Sequence, residues 1–343
     1  MKLLAGLLAT SLAVFTGRGA CAGETLDRVR AAGTLTCALV RDADDWSEAD
    51  THGDLSAFGA DFCRALAAEV FGDPAKASFL LLPDEPAGLA AVRDGMADVL
   101  FGATPEPVTG GIFHAAFGPP YFFDGQGFLV RKDGGISGIA DLSKRHVCFI
   151  NNSRAERTLY DALDPVLAEP EVHFPYSERG EMEAALVGGH CDAITGDISW
   201  LANVRSQLHA ETPRFTVLTD TISLDPIAPA YRAGDPQWAA LVSWTIWASL
   251  AAEEHAVTRA NAGDLGESRD PVVLRLIGAT PWIGKALGIA DDAFLRVIKA
   301  VGNYGELYER DVGEGSKLQL PRGRNRLPSE GGLLWTLPVE PPP

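Results

Sequence analysis

Strand-like and helix-like stretches alternate along this chain in two separate runs, and that order constrains the fold more than any other feature. In the first run, "LTCALV" at 35–40 is a continuous apolar stretch of the buried-strand kind. Phe58, Phe62, Leu66 and Val70 then recur every fourth residue, which makes one apolar face of a helix. "SFLLL" at 78–82 gives the next strand, "EPAGLAAVRDG" the next helix, and "ADVLF" at 97–101 a third strand. After "RKDGG" at 131–135 the alternation restarts. "HVCFI" at 146–150 and "CDAITGD" at 191–197 are strands, as is the short "EVHFP". "SRAERTLYDAL" from Ser153 and "GEMEAALVGG" are helices. A βαβαβ order met twice predicts an α/β protein with two open sheets, each flanked by helices.

The chain then turns from "PIAPAYRAGD" at 226–235 into a long apolar helix, "PQWAALVSWTIWASLAAEE". The apolar periodicity places Trp238, Trp244 and Trp247 in a core rather than against a ligand. Residues 270–325 are helical and then turn-rich, and the tail "VEPPP" is expected to be disordered. No repeat of fixed period is present.

The first residues, "MKLLAGLLATSLAVFTGRGACA", have a basic start, an apolar run from Leu3 to Phe15 and small residues at Ala20 and Ala22. This is the pattern of a secretory signal peptide over 1–22. The mature length suggests two domains. The formal net charge is −17, and loss of Lys2 and Arg18 with the leader takes it to −19. Such a surface repels nucleic acid and anionic lipid. Four cysteines remain after processing, an even count that suggests two disulfides in an exported chain. Of three possible pairings, Cys37–Cys63 with Cys148–Cys191 is expected, because each bridge closes a loop inside one half. No C-x-x-C, G-x-S-x-G, H-E-x-x-H, P-loop or paired-His metal spacing occurs, so no metal, cofactor or catalytic set is expected.

Several stretches together resemble the type 2 periplasmic solute-binding proteins of ABC transporters, in the branch serving general L-amino-acid uptake. They are "LDRVRAAGTLTCALV", "GADFCRALAAEVFGDPAKASFLLL", "YFFDGQGFLVRKD", "HVCFI", "GGHCDAITGD", "APAYRAGD" and, most specifically, "VGNYGELYERDVGEGSKLQLPRGRN" at 301–325. The resemblance covers nearly the whole mature chain. It implies a two-lobe fold, each lobe an open mixed sheet flanked by helices, joined by a two-crossing hinge. Lobe one would comprise 25–130 and 226–325, lobe two 131–225, and 326–343 a tail. It further implies a monomer in the periplasm that closes on a small amino acid or amine, docks on an ABC permease in the inner membrane, and is not an enzyme.

In this family an Arg of lobe one forks onto the ligand carboxylate, aided by a Thr-rich loop and by a helix N-terminus of lobe two. An Asp of lobe two accepts from the ammonium, and an aromatic ring covers the side chain. The resemblance assigns Asp197 to the ammonium, Trp46 to the ring and Thr104 to the rim hydroxyl. The ordinary alternatives are a helix cap for Asp197 and a loop anchor for Trp46. The lobe-one Arg falls at Gly110, and no Arg or Lys lies between Phe101 and Gln126. A second rim Thr is Pro105, which has no N–H. The Gly-Thr-Thr turn of lobe two is Asn152, Ser153 and Arg154 here. Ser153 with Glu156 has the capping-box pattern of a helix start.

Three cases stay open. Arg154 replaces the lost cation from the other lobe, or points to solvent. The ligand lacks a carboxylate, favoured by Asp44, Asp45, Glu48 and Asp50 near Trp46. Or the pocket has degenerated. A non-transport accessory or sensor protein serving a partner enzyme or membrane receptor is the alternative function.

Overall fold

The computed structural model describes residues 23–40, 55–163 and 172–340. The expected leader at 1–22 and the acidic loop with Trp46 lie outside the described residues. The strands in chain order are β1 Leu35–Val40, β2 Ala77–Leu82, β3 Val99–Ala103, β4 Ala115–Phe117, β5 Phe122–Asp124, β6 Gln126–Arg131, β7 His146–Ile150, β8 Val172–Tyr176, β9 Ala193–Asp197, β10 Phe215–Val217 and β11 Asp225–Arg232. They form two sheets, one in the order β2-β1-β3-β11-β4 with β5 also on β11, the other β10-β6-β9-β7-β8.

In the first sheet β1, β2 and β3 are parallel, because the helices Leu55–Phe71 and Glu85–Arg93 carry the chain back between them. Phe58, Phe62 and Leu66 of the first helix are fully buried. Each such side chain contributes roughly 1.5–3 kcal/mol by leaving water. In the second sheet successive residues serve opposite faces. Phe128, Val130, Val147 and Phe149 pack on one side with Leu159 and Leu163, while Leu129, Cys148 and Ile194 pack on the other with Leu186 and Leu201.

The antiparallel strands are the ones that carry the chain between sheets. β6 follows β5 across Gly125 and runs antiparallel to β9, and β11 returns from the second sheet to run antiparallel to β3. The two crossings lie side by side, with Asp225 opposite Asp124. The Gln126 N–H donates to Ser223 Oγ at 2.8 Å, and the Ile222 N–H to the Gln126 carbonyl at 2.8 Å. Gly125 is required by this close approach, since a Cβ there would sit 2.6 Å from the Ser223 carbonyl oxygen.

Both expected disulfides form. Cys37 of β1 is bonded to Cys63 of the first helix, and Cys148 of β7 to Cys191 just before β9. Loop closure over separations of 26 and 43 residues destabilises the unfolded chain by about 3.5 and about 4 kcal/mol in the chain-entropy picture.

The C-terminal stretch proves to be scaffold. Asn303 and Glu306 form a capping box, the Tyr304 hydroxyl donates to the Tyr121 carbonyl at 2.8 Å, and Arg322 lies over the Tyr304 and Tyr308 rings while paired with Glu253. Asn325 accepts from the Phe123 N–H at 2.6 Å and donates to its carbonyl at 3.0 Å, which fixes β5 beside the first crossing. The expectation of a disordered "VEPPP" needs correcting at Val339. It is buried in the first-lobe core with Leu334, and its carbonyl accepts from Arg275 at 2.5 Å.

Candidate functional site

In a sheet with parallel strands, ligands bind outside the carboxyl ends. β7 and β9 are parallel neighbours, so their carboxyl ends, Ile150 and Asp197, lie on one edge. A cavity of about 240 Å³ opens there, and Ser153, Arg154 and Asp197 all line it. Gln126, Ser223 and Asp225 bring both crossings to the same cavity.

The helix Arg154–Leu163 begins at this edge for a local reason. Ser153 Oγ accepts from the Glu156 N–H at 3.1 Å, and Glu156 reaches back to the Asn152 N–H at 2.7 Å. The return bond falls one residue earlier than in a standard capping box. Asn152 turns the chain with φ of 57°, a conformation Asn tolerates, and it does not line the cavity. Arg154 is therefore the first helical residue. Its guanidinium pairs with the buried Asp225, yet the side chain is 61% exposed. A guanidinium has five N–H donors, so one paired nitrogen leaves donors for a ligand anion.

Asp197 ends β9 and precedes the helix Ile198–Gln207. Its side chain makes no cap bond to that helix. Asp124 of β5 takes that role, accepting from the Ser199 N–H at 3.3 Å and from its hydroxyl. Burial first, and then the charge of Asp197, push the Asp124 carboxyl up to about 7. Asp197 itself is exposed at the cavity.

The cavity holds residues the sequence reading does not single out. Arg179 lies 5.0 Å over the Trp200 ring, and both line the wall. Trp200 packs so closely on β9 that a Cβ at Gly196 would meet its ring at 2.7 Å. The Gln126 amide donates to the Ala155 carbonyl at 2.8 Å and to Thr195 Oγ1 at 3.0 Å, forming a polar floor. The available signal was positional, since each of these lies at or beside a crossing or a strand end.

Thr104 directly follows β3, on the first lobe, and is not among the residues lining this cavity. Its N–H donates to Glu85 Oε1 at 3.0 Å. Trp46 lies outside the described residues. Among the described residues no group of three His, Cys, Asp or Glu is placed to hold a metal, and no helix is long and apolar enough to cross a membrane.

No protein-family model matches the chain. Its relatives are nonetheless clear. It is 34% identical over 343 residues, 98% of this chain and 99% of the relative, to the general L-amino acid-binding periplasmic protein AapJ of Rhizobium johnstonii. It is 32% identical over 324 residues, 93% of this chain and 94% of the relative, to the glutamate/glutamine/aspartate/asparagine-binding protein BztA of Rhodobacter capsulatus. Among solved structures it is similar to an ABC transporter periplasmic binding protein from Brucella ovis with glutathione bound. That match has a TM-score of 0.73 and 33% identity, and covers 92% of this chain and 99% of the other. With two mixed sheets, two crossings and relatives along its whole length, the chain belongs to the periplasmic amino-acid-binding proteins of ABC transporters.

Proposed function

We propose that this chain is the extracytoplasmic solute-binding subunit of an ABC uptake system and takes an amino-acid-like solute into the cleft between its lobes. The observation that carries this reading is the meeting of Arg154 and Asp197, opposite charges at two neighbouring helix starts, in one cavity. Arg154 takes the ligand carboxylate from lobe two, in place of the cation missing near Gly110, and Asp197 takes the ammonium. Thr104, Asn152 and Trp46 stand as ligand contacts on the family resemblance alone. Ligand contacts to both lobes shift an open–closed equilibrium, and the closed form docks on the permease. The protein works in the periplasm as a monomer and performs no chemistry.

Calorimetry of the mature protein against standard amino acids, polyamines and betaines tests this. At least one amino acid binds, and Arg154→Ala weakens it tenfold or more. Tight binding that survives Arg154→Ala would put the anion site elsewhere.

A further inference from the structure

The first lobe has its own strand-end rim, the stretch after β3. It has no cationic side chain, since no Arg or Lys occurs between Phe101 and Gln126. Thr104 offers an N–H and a hydroxyl, Pro105 offers no N–H, and the Thr109 hydroxyl is turned to Glu106. Position 110 is also tight for any side chain. A Cβ on Gly110 would already sit 3.0 Å from the Ala115 carbonyl oxygen and 3.0 Å from the Phe117 ring.

Both Thr104 donors are engaged from within the chain. Glu85, first residue of the helix Glu85–Arg93, accepts from the Thr104 N–H at 3.0 Å, and the Thr104 hydroxyl bonds to the same carboxyl. Glu106 stands close enough to act on Glu85 by charge, and its own carboxylate accepts from Thr109 Oγ1 at 3.3 Å. The first-lobe rim thus supplies its own carboxyl where a solute carboxylate would find donors, and a second acid flanks it.

We propose that Glu85 is a specificity-determining residue that excludes carboxylates from the first-lobe side of the cleft, so that the solute presents an uncharged or cationic group to that lobe. This rests on the reading above, in which Arg154 and Asp197 hold the α-carboxylate and α-ammonium in lobe two. A dicarboxylic amino acid held that way would bring its second carboxylate toward a first-lobe rim whose Thr104 donors are already taken by Glu85, a poorly paired and partly desolvated charge. A neutral amide of the same shape meets no such opposition. Burial raises the Glu85 pKa, with Glu106 adding least, while the two bonds from Thr104 pull it down.

The test is calorimetry with L-glutamate and L-glutamine on the mature wild type, Glu85→Ala and Glu85→Gln. Glu85→Ala releases the Thr104 donors and removes a charge. Its L-glutamate affinity rises tenfold or more over wild type, while its L-glutamine affinity changes less than threefold. Glu85→Gln removes the charge but keeps an acceptor for Thr104, and shows the smaller rise. An unchanged glutamate-to-glutamine ratio in Glu85→Ala overturns the proposal. If that variant does not fold, an unchanged ratio in Glu85→Gln overturns it. Failure of the lobe-two reading has a different signature, since that reading falls on the Arg154→Ala result whatever Glu85 does. If wild type binds neither probe, the gain of L-glutamate binding in Glu85→Ala still decides.

Discussion

In the first lobe several acidic side chains are built into the fold. Glu69 is buried against Thr245, Asp61 sits between Arg64 and Arg310, Glu253 is paired with Arg322, and Glu85 holds Thr104. In the second lobe the buried side chains are almost all apolar, and Arg154, Arg179 and Asp197 line a cavity at the strand ends. Two halves with the same βαβ logic therefore use charge for different ends. One fastens its own helices and C-terminal extension with it, and the other turns it toward a guest. The lesson is that equivalent positions in a topology do not imply equivalent roles. The rim after β3 and the rim after β9 are both strand ends, and only the second carries charges lining the cavity described here.

The largest expected effect tests the inward half of that contrast. Burial pushes the Glu69 carboxyl from 4.5 up to about 8, against a smaller downward pull from its bond to Thr245. A raised pKa means that the folded state binds the proton more tightly. The corresponding stability is fully present below pH 4.5 and is lost as pH climbs through about 8. At roughly 1.4 kcal/mol per pK unit, the loss from this group is on the order of 4–5 kcal/mol. Urea unfolding at pH 5 and pH 8, followed by hydrogen exchange in each lobe, should show the slope in the first lobe. Glu69→Gln should reduce it, leaving the part carried by Asp311, whose carboxyl burial also pushes up to about 8. An equal slope in the second lobe, whose described strands and helices hold no buried acid away from the crossings at Asp124 and Asp225, would break the comparison.

Much of this contrast could be read in the sequence, and the unreadable part has a physical reason. The strands at 35–40 and 146–150 announce themselves by continuous apolar runs, because parallel strands inside a sheet are covered on both faces, and the edge strand at 78–82 shows the same run although it is only half-buried. The four-residue spacing from Phe58 gives the helix that fills the core. Asp197, Ser153 and Arg154 are findable because they stand where a strand ends and a helix starts. Glu85 is not. In sequence it is an acidic residue in the first turn of a helix, which the helix dipole alone would explain. Its bond to Thr104 spans 19 residues and depends on how the Glu85–Arg93 helix packs on β3. Arg179 likewise reads as a solvated helix start until the fold sets it over Trp200. Asp124 becomes the cap of a helix 75 residues away only because the chain crosses between sheets beside it.

The outward half of the contrast is sharpened by Asp197→Asn. This carboxylate leaves the capping of its own helix to Asp124, so replacing it should leave the fold intact. Removing one member of a desolvated charge pair generally weakens binding by about 2–5 kcal/mol. We expect at least a thirtyfold loss of amino-acid affinity by calorimetry, about 2 kcal/mol, with the melting temperature nearly unchanged. A large fall in stability with unchanged affinity would make Asp197 structural and place lobe two nearer to lobe one in character.

The smallest effect separates placing a charge from merely having one. Ser153 does not need to touch a solute to matter, because its hydroxyl caps the Glu156 N–H and so sets where the helix begins. Arg154 is the next residue, and the direction of its side chain follows from that first turn. Loss of a Ser cap costs about 1 kcal/mol. Ser153→Ala should therefore lower unfolding free energy by about that much. It should also reduce ligand affinity a few-fold, through the looser start of the helix under Arg154. Ser153→Asp supplies an alternative cap acceptor and should restore the stability, but it adds a negative charge beside Arg154 and should not restore the affinity. Recovery of both together would mean that Ser153 acts through the helix alone. Recovery of stability without affinity would mean that the charge balance around Arg154 is what the second lobe presents to its guest.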